Sequence, residues 1–178
     1  MNLIAYKKLT RKNFSRNSLD NFIRHQEVNE CLRLIDGEWK LVKNEFTEDW
    51  DLDKRKEIAD TILKKLDLQW IAYGAFSGNQ LVGYIVISDE KFGSEMQYVE
   101  LVLFHVSEPF RKMGIGTMLF KMICHEAKAL GATKLYISAH SSKESQIAYR
   151  KLGCDHAKEI NSEIAENEPF DIQMEYIL

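Results

Sequence analysis

Residues 98–131 read YVELVLFHVSEPFRKMGIGTMLFKMICHEAKALG. From Tyr98 to Val106 the side chains are mostly Val, Leu and aromatic, as suits a buried strand. Ser107, Glu108 and Pro109 break that run. The segment Arg111-Lys112-Met113-Gly114-Ile115-Gly116-Thr117 follows. Behind it Ile115, Met118, Leu119, Met122, Ile123, Ala127 and Leu130 recur at helical spacing, and Gly131 ends the helix. The stretch is a strand, a tight basic glycine loop and a helix.

Such a loop suits an anion. A helix start leaves backbone N–H groups unpaired and carries partial positive charge. Glycines at 114 and 116 let a ligand come close, because no Cβ stands in the way. Arg111 and Lys112 add cationic charge. The glycine pair by itself reads as an ordinary turn. With the basic pair, the buried strand and the amphipathic helix around it, it reads as a seat for a phosphate or pyrophosphate. It is not a P-loop, because no lysine stands between Gly116 and Thr117. It is not a dinucleotide fingerprint either, because the third glycine position holds Leu119.

Arg-x-x-Gly-x-Gly after a strand, here Arg111, Gly114 and Gly116, resembles the acetyl-CoA signature of the GNAT superfamily of N-acetyltransferases. KLYISAHSS is similar to that family's next strand, and ESQIAYRKLGC to its next helix, with a tyrosine shortly before Leu-Gly. The resemblance covers residues 70–178 well and the N-terminal part loosely. It implies an α/β (α+β) fold: a mixed, mostly antiparallel sheet flanked by helices and splayed at its central strands. It divides the chain into a divergent acceptor-side part, 1–69, and an acetyl-CoA-binding core, 70–178.

The whole chain is consistent with one domain, 1–178. It is 45% hydrophobic and 29% charged, with a net charge of −3. A nucleic-acid partner is not expected without a basic surface. A membrane role is not expected either, since no apolar run approaches spanning length. MNLIAYKKLTRKN lacks a signal-peptide layout. Cys31, Cys124 and Cys154 are scattered, with no C-x-x-C pair and no metal spacing with histidine. They read as reduced thiols of a cytoplasmic protein without a metal site.

Residues 3–9 predict a first strand, and 19–23 a short helix. VNECLRLIDGEWKLVKNEF predicts a hairpin turning at Asp36-Gly37. The resembled family usually has helices in that place, so this is an extra N-terminal hairpin. Ile58, Ile62, Leu63 and Leu66 mark a helix with Asp51 or Asp53 as its cap. A second hairpin, 70–76 and 81–87, is followed by a polar connection, 89–97. Beyond the glycine loop and its helix come a strand at 134–139, a helix at 143–152 stopped by Gly153, and a last strand, 170–177.

The resemblance implies the site. Tyr149 stands where the family carries a tyrosine close to the CoA sulfur, and is the candidate acid for the leaving thiolate. Glu100 is the candidate base, since some relatives place a glutamate at this offset from the loop; a charge in an apolar strand is costly unless paired or used. By strand alternation it is expected to share a face with Val102, Phe104 and Val106. Phe104 and Val106 are expected to bind the pantetheine amides through their backbones. Arg111, Lys112, Met113, Gly114, Ile115, Gly116 and Thr117 form the phosphate loop. Ser142 stands where many relatives have an asparagine on the CoA arm, with Ser145 as a substitute. His105 is expected in the core. Trp39, Trp50 and Trp70 read as packing, and Asp171 and Glu175 as solvated.

The expected function is transfer of acetyl from acetyl-CoA to the primary amine of a small molecule, by direct attack in a ternary complex. A silent acyl-CoA sensor, an acetyltransferase acting on a protein N-terminus or lysine, and a homodimer remain open alternatives.

Overall fold

A computed structural model describes residues 3–178. The elements run β1 (Ile4–Lys8), β2 (His25–Ile35), β3 (Glu38–Asp49), α1 (Leu52–Asp67), β4 (Ile71–Ser77), β5 (Gln80–Phe92) and β6 (Tyr98–Val106). Then come α2 (Ile115–Ala129), β7 (Lys134–Ala139), α3 (Lys143–Leu152), β8 (Asp155–His156), α4 (Ser162–Asn167) and β9 (Ile172–Ile177). Seven strands form one sheet in the order β1-β4-β5-β6-β7-β9-β8. Every adjacent pair is antiparallel except β6 and β7. This is the mixed, mostly antiparallel sheet expected.

The sheet buries both faces. On one, α2 places Ile115, Leu119, Phe120, Ile123 and Ala127 against Val82, Ile85, Val99 and Ile137. On the other, Ala59, Ile62 and Leu63 of α1 pack with Phe14, Leu19, Phe22, Tyr84 and Val86. Each such Val, Leu, Ile or Phe side chain removed from water contributes about 1.5–3 kcal/mol.

Local signals place most of the elements. Asp36 and Gly37 both take left-handed backbone, φ 51° and 81°, which is the two-residue turn the hairpin requires. Asp51 caps α1 by accepting the Lys54 N–H at 2.8 Å. Gly153 ends α3 at φ 100°. The β2–β3 hairpin forms a separate two-stranded sheet. It docks beside α3: the Leu32 N–H donates to the Ser141 carbonyl at 2.8 Å, and Cys31 bridges to Ser142.

Three details differ from the sequence reading. Residues 16–21 form consecutive turns rather than a helix, closed by i to i+3 bonds such as Phe22 N–H to Leu19 O at 3.0 Å. Leu19 and Phe22 are the buried anchors of that segment, and tertiary packing holds it without a helical ladder. Strand β5 continues through Asp89 to Phe92, because Lys91 and Phe92 still pair with Val99 and Tyr98. The short β8 and α4 also carry too few residues for a periodic signal.

Candidate active site

Strands β6 and β7 pair only from Tyr98–Lys134 to Leu101–Ile137. Beyond that they part, while β6 stays paired with β5 as far as Val106–Gly83. The Ser107 N–H donates to Val82 O at 2.8 Å. Antiparallel bonding alternates, so His105 and Leu103 also turn their backbones to β5. The backbone groups of Phe104 and Val106 therefore face the gap that β7 has left. No strand pairs with that edge, although the Val106 carbonyl accepts a bond from Arg111 Nε.

A bulge at Val102 corrects one expectation. Val86 pairs with Leu103 but Ile87 with Leu101, leaving Val102 without a partner. The inserted residue resets the alternation. Leu101, Phe104 and Val106 pack in the α2 core, while Leu103 packs in the α1 core. Glu100 therefore lies on the face of Leu103 and His105, not on that of Phe104 and Val106.

The loop after β6 leads into α2. Gly114, at φ 80°, precedes the helix, and no side chain caps it. The first helical bond is Met118 N–H to Gly114 O, so the N–H groups of Ile115, Gly116 and Thr117 are free of the helical ladder. The two glycines serve different purposes. A Cβ on Gly114 would point into open space, so its need is for the left-handed backbone. A Cβ on Gly116 would meet the Phe104 ring at 3.3 Å and Val106 at 3.7 Å, so its need is for close helix–strand approach. The side chain of Ile115 is buried and that of Met113 is exposed away from the cleft lining, leaving both to act through their backbones.

Arg111 is not a free cation over this seat. Its Nε donates to Val106 O at 3.1 Å and its Nη1 to His25 O at 2.7 Å. Burial, then the nearby Arg24, lowers its pKa. The guanidinium ties the loop to β6 and to the root of the hairpin. Lys112 lines the cleft from a left-handed position, φ 62°.

Tyr149 of α3 lines the same cleft, its ring 6.3 Å from that of Phe104. Burial pushes its phenol well above the usual range, and Cys154 and Asp171 add to this, so it stays protonated and can donate. Ser142 is spent elsewhere. It is fully buried and caps α3, and its hydroxyl accepts from Gln26 Nε2 at 3.0 Å and meets Ser145 Oγ at 2.9 Å. Ser145 lines the cleft and Ser142 does not.

The cleft has a volume of about 2080 Å³ and passes through the gap from one face of the sheet to the other. Lys112, Lys121 and Lys151 line it beside α2 and α3, with Glu144; Glu100, Glu163, Glu168 and Asp171 line it too, together with Arg24, Lys65 and Lys91. Burial raises the Glu100 pKa; Lys65 opposes this and Glu163 reinforces it. His105 is pushed down to about 3 by burial and by Arg24 and Arg111, so it is neutral. It packs against Trp50 (4.9 Å) and Tyr84 (5.6 Å) and, being only partly buried, also lines the cleft, where the sequence reading expected a core residue.

Of the tryptophans, Trp39 stacks on His156 and Trp50 on Phe22, while Trp70 lines the cleft under the Lys65 ammonium. The solvated reading of Asp171 and Glu175 is corrected. Glu175 is buried, accepting from Tyr98 Oη, Lys134 Nζ and the Lys158 N–H. Asp171 is half-buried in the cleft wall. Trp70, His140, Glu163 and Asp171 are cleft residues that the sequence reading left without a role. None belongs to a local motif, and only chain packing brings it there.

A family model described as the Acetyltransferase (GNAT) family matches residues 35–154. Among solved structures, a nourseothricin acetyltransferase superposes with a TM-score of 0.71 at 14% identity, over 98% of each chain. A Bacillus anthracis protein described as a streptothricin acetyltransferase, in complex with acetyl coenzyme A, gives 0.65 at 18% identity, over 99% of this chain and 98% of its own. A GNAT family acetyltransferase from Elizabethkingia anophelis with acetyl-CoA bound gives 0.57 at 20% identity, over 98% of each chain. Comparison with curated proteins by sequence gives no match.

Proposed function

The chain belongs to the GNAT acetyltransferase family, and from that premise we propose that it acetylates a cationic small-molecule amine, with donor and acceptor meeting through the gap between β6 and β7. Membership makes it an acetyl-CoA-dependent N-acetyltransferase. The observation that carries the rest is the single continuous surface formed by the β6 edge, the uncapped α2 N-terminus and the carboxylates lining the cleft.

The pantetheine amides pair with Phe104 and Val106. The pyrophosphate sits on the N–H groups of residues 113–117, with Gly114 leaving the approach clear and Lys112 adding charge. Arg111 contributes by holding the loop. The thioester supplied by acetyl-CoA is the acetyl source. The cleft residues Glu100, Glu163, Glu168 and Asp171 favour an ammonium acceptor over an anionic one. Glu100 takes a proton from that ammonium, which must lose one before its nitrogen can attack. Burial helps here, because a raised pKa makes a carboxylate a better base near neutrality. Tyr149 protonates the departing sulfur.

The test is CoA release, followed as free thiol, across streptothricin-class compounds, aminoglycosides, polyamines, amino acids and peptides. Streptothricin and nourseothricin come first, because one structural neighbour is described as a streptothricin acetyltransferase and another as a nourseothricin acetyltransferase. Turnover with a polycationic small molecule is the expected result. Acetyl-CoA binding without CoA release to any amine would favour a sensor. Release to peptides alone would move the acceptor to protein.

A further inference from the structure

One cation of the cleft wall has no place in this scheme. Lys64 and Lys65 both stand in the last turn of α1, where positive charge suits the helix C-terminus. Lys64 is exposed, whereas Lys65 is half-buried and lines the cleft. There its ammonium lies 3.8 Å from the centre of the Trp70 ring, well inside the roughly 6 Å reach of a cation–π contact. Among the described residues Lys65 forms no ion pair, although Lys54 and Lys56 of the same helix do. The ring is firmly held. Gln69 takes left-handed backbone, φ 68°, and the Trp70 N–H closes back on Lys65 O at 3.1 Å. The indole packs against the α1 core, as Leu103 does.

The register places this pair beside Glu100. Trp70 precedes Ile71, which pairs with Ile87 of β5; Ile87 pairs in turn with Leu101 of β6, which follows Glu100. Trp70, Ser88 and Glu100 therefore stand in one row across β4, β5 and β6. Ile71, Ile87 and Leu101 belong to the α2 core, so the row beside them projects from the opposite face. Neighbouring strands lie about 4.8 Å apart, which sets the outer two backbones of the row roughly 10 Å from each other. Past Ile87 the β5–β6 pairing resumes only at Lys91–Val99, so Ser88, Asp89 and Glu90 bow out opposite Glu100. Ser88 is small, and its hydroxyl is turned to Glu90 O at 3.2 Å. The row is a notch with an aromatic wall, a small floor and a carboxylate wall, and all three residues line the cleft. Lys65 holds its ammonium against the aromatic wall.

We propose that Trp70 is a specificity-determining residue of the acceptor site: its ring face, with Glu100 across the notch, seats an ammonium of the acceptor, and Lys65 is a tethered cation that the acceptor displaces. The inference rests on the acetyl-transfer reading above. The exchange replaces one cation–π contact with another, so the ring loses nothing, and the flexible lysine stem lets its head move out into water. It also brings the incoming ammonium beside the carboxylate that serves as base. A ring face attracts organic cations, methylated ones included, and gives no such attraction to neutral or anionic groups. The notch therefore selects acceptors by their positive charge as well as by their size.

Tetramethylammonium is the probe, because it is a cation that cannot be acetylated. Added to the free protein it should shift the Trp70 indole N–H resonance, identified by its loss in Trp70→Phe, while uncharged tert-butanol should not. Lys65→Met should tighten tetramethylammonium binding by roughly 2- to 5-fold, the worth of one partly exposed cation–π contact. Lys64→Met removes the same charge from an exposed position and should leave that binding unchanged. In turnover, Trp70→Leu should raise the KM of a cationic acceptor by roughly 2- to 30-fold rather than lower kcat, and Trp70→Phe should recover part of the loss. No resonance shift in the wild type, equal tightening in both lysine variants, weaker binding in Lys65→Met, or an unchanged KM in a folded Trp70→Leu enzyme would each overturn the seat. The wild-type titration needs neither turnover nor a stable Trp70→Leu protein. A shift at Trp70 in a protein that releases no CoA to any amine would support the cation seat and overturn the acetyl-transfer reading. Turnover without the shift would overturn the seat alone.

Discussion

Gly116→Val tests the join between α2 and the β6 edge. A Cβ there would stand 3.3 Å from Phe104 Cζ and 3.7 Å from Val106 Cγ2, already tight contact before the valine methyls are added. The methyls extend about one bond length further, roughly 1.5 Å, which puts them inside the Phe104 ring. That ring cannot simply swing away, since it is flanked by Phe120 at 6.2 Å and Tyr149 at 6.3 Å. The N-terminus of α2 must lift from the strand. Overpacking of this kind costs about 1–3 kcal/mol. Since α2 carries the N–H groups of the phosphate seat and Phe104 the pantetheine edge, the shift should separate the two halves of the donor site. Read as affinity, that is a loss of roughly 10- to 100-fold for CoA. Calorimetry with CoA gives the binding term and a thermal melt gives the stability term. Gly116→Ala should sit between the two, because the ring needs to yield by only tenths of an ångström. Gly114→Ala should instead lose about 1–2 kcal/mol of stability from its left-handed backbone, with no clash. A folded Gly116→Val protein with wild-type CoA affinity and Tm would refute the reasoning.

Glu100→Gln should slow turnover at neutral pH and recover as pH rises and the acceptor loses its proton unaided; a flat pH–rate profile with full activity would return Glu100 to a structural role. Tyr149→Phe keeps the ring and removes the donor, so kcat should fall by roughly 10- to 1000-fold with CoA affinity nearly unchanged; normal turnover with an early melt would show that the hydroxyl only stabilises the fold. Arg111→Ala should lower Tm and weaken CoA, dephospho-CoA and pantetheine alike, because it frees the Val106 and His25 carbonyls; a loss confined to CoA would show direct contact with its phosphates. Burial of Glu175 is outweighed by its bonds to Tyr98, Lys134 and the Lys158 N–H, so its folded pKa lies below the unfolded one. Its stabilisation is then present above the unfolded value and lost as pH falls through the folded one, so Glu175→Gln should cost more Tm at pH 7 than at pH 3; an equal loss at both would contradict the net lowering.

What the sequence determined by itself is what short-range chemistry controls. Asp36-Gly37 needs only two positive φ angles to make a hairpin, Asp51 needs only the N–H three residues on, and Gly153 needs only its own missing Cβ. The glycine loop between a strand and an amphipathic helix is equally local, which is why residues 98–131 announce the donor site. The tertiary structure decided what depends on distant partners. The bulge at Val102 exists in the register between β5 and β6, and it moves Glu100 to the other face of the sheet. Arg111 looks like a phosphate ligand until the chain brings His25, 86 residues away, against it. Ser142 is closed off by Gln26, 116 residues earlier, once the hairpin docks. Asp171 becomes a cleft residue only because β9 threads beside β7 after that strand has parted from β6. Periodicity and capping report the nearest few residues, whereas the face, depth and neighbours of a side chain are set by segments far off in the chain.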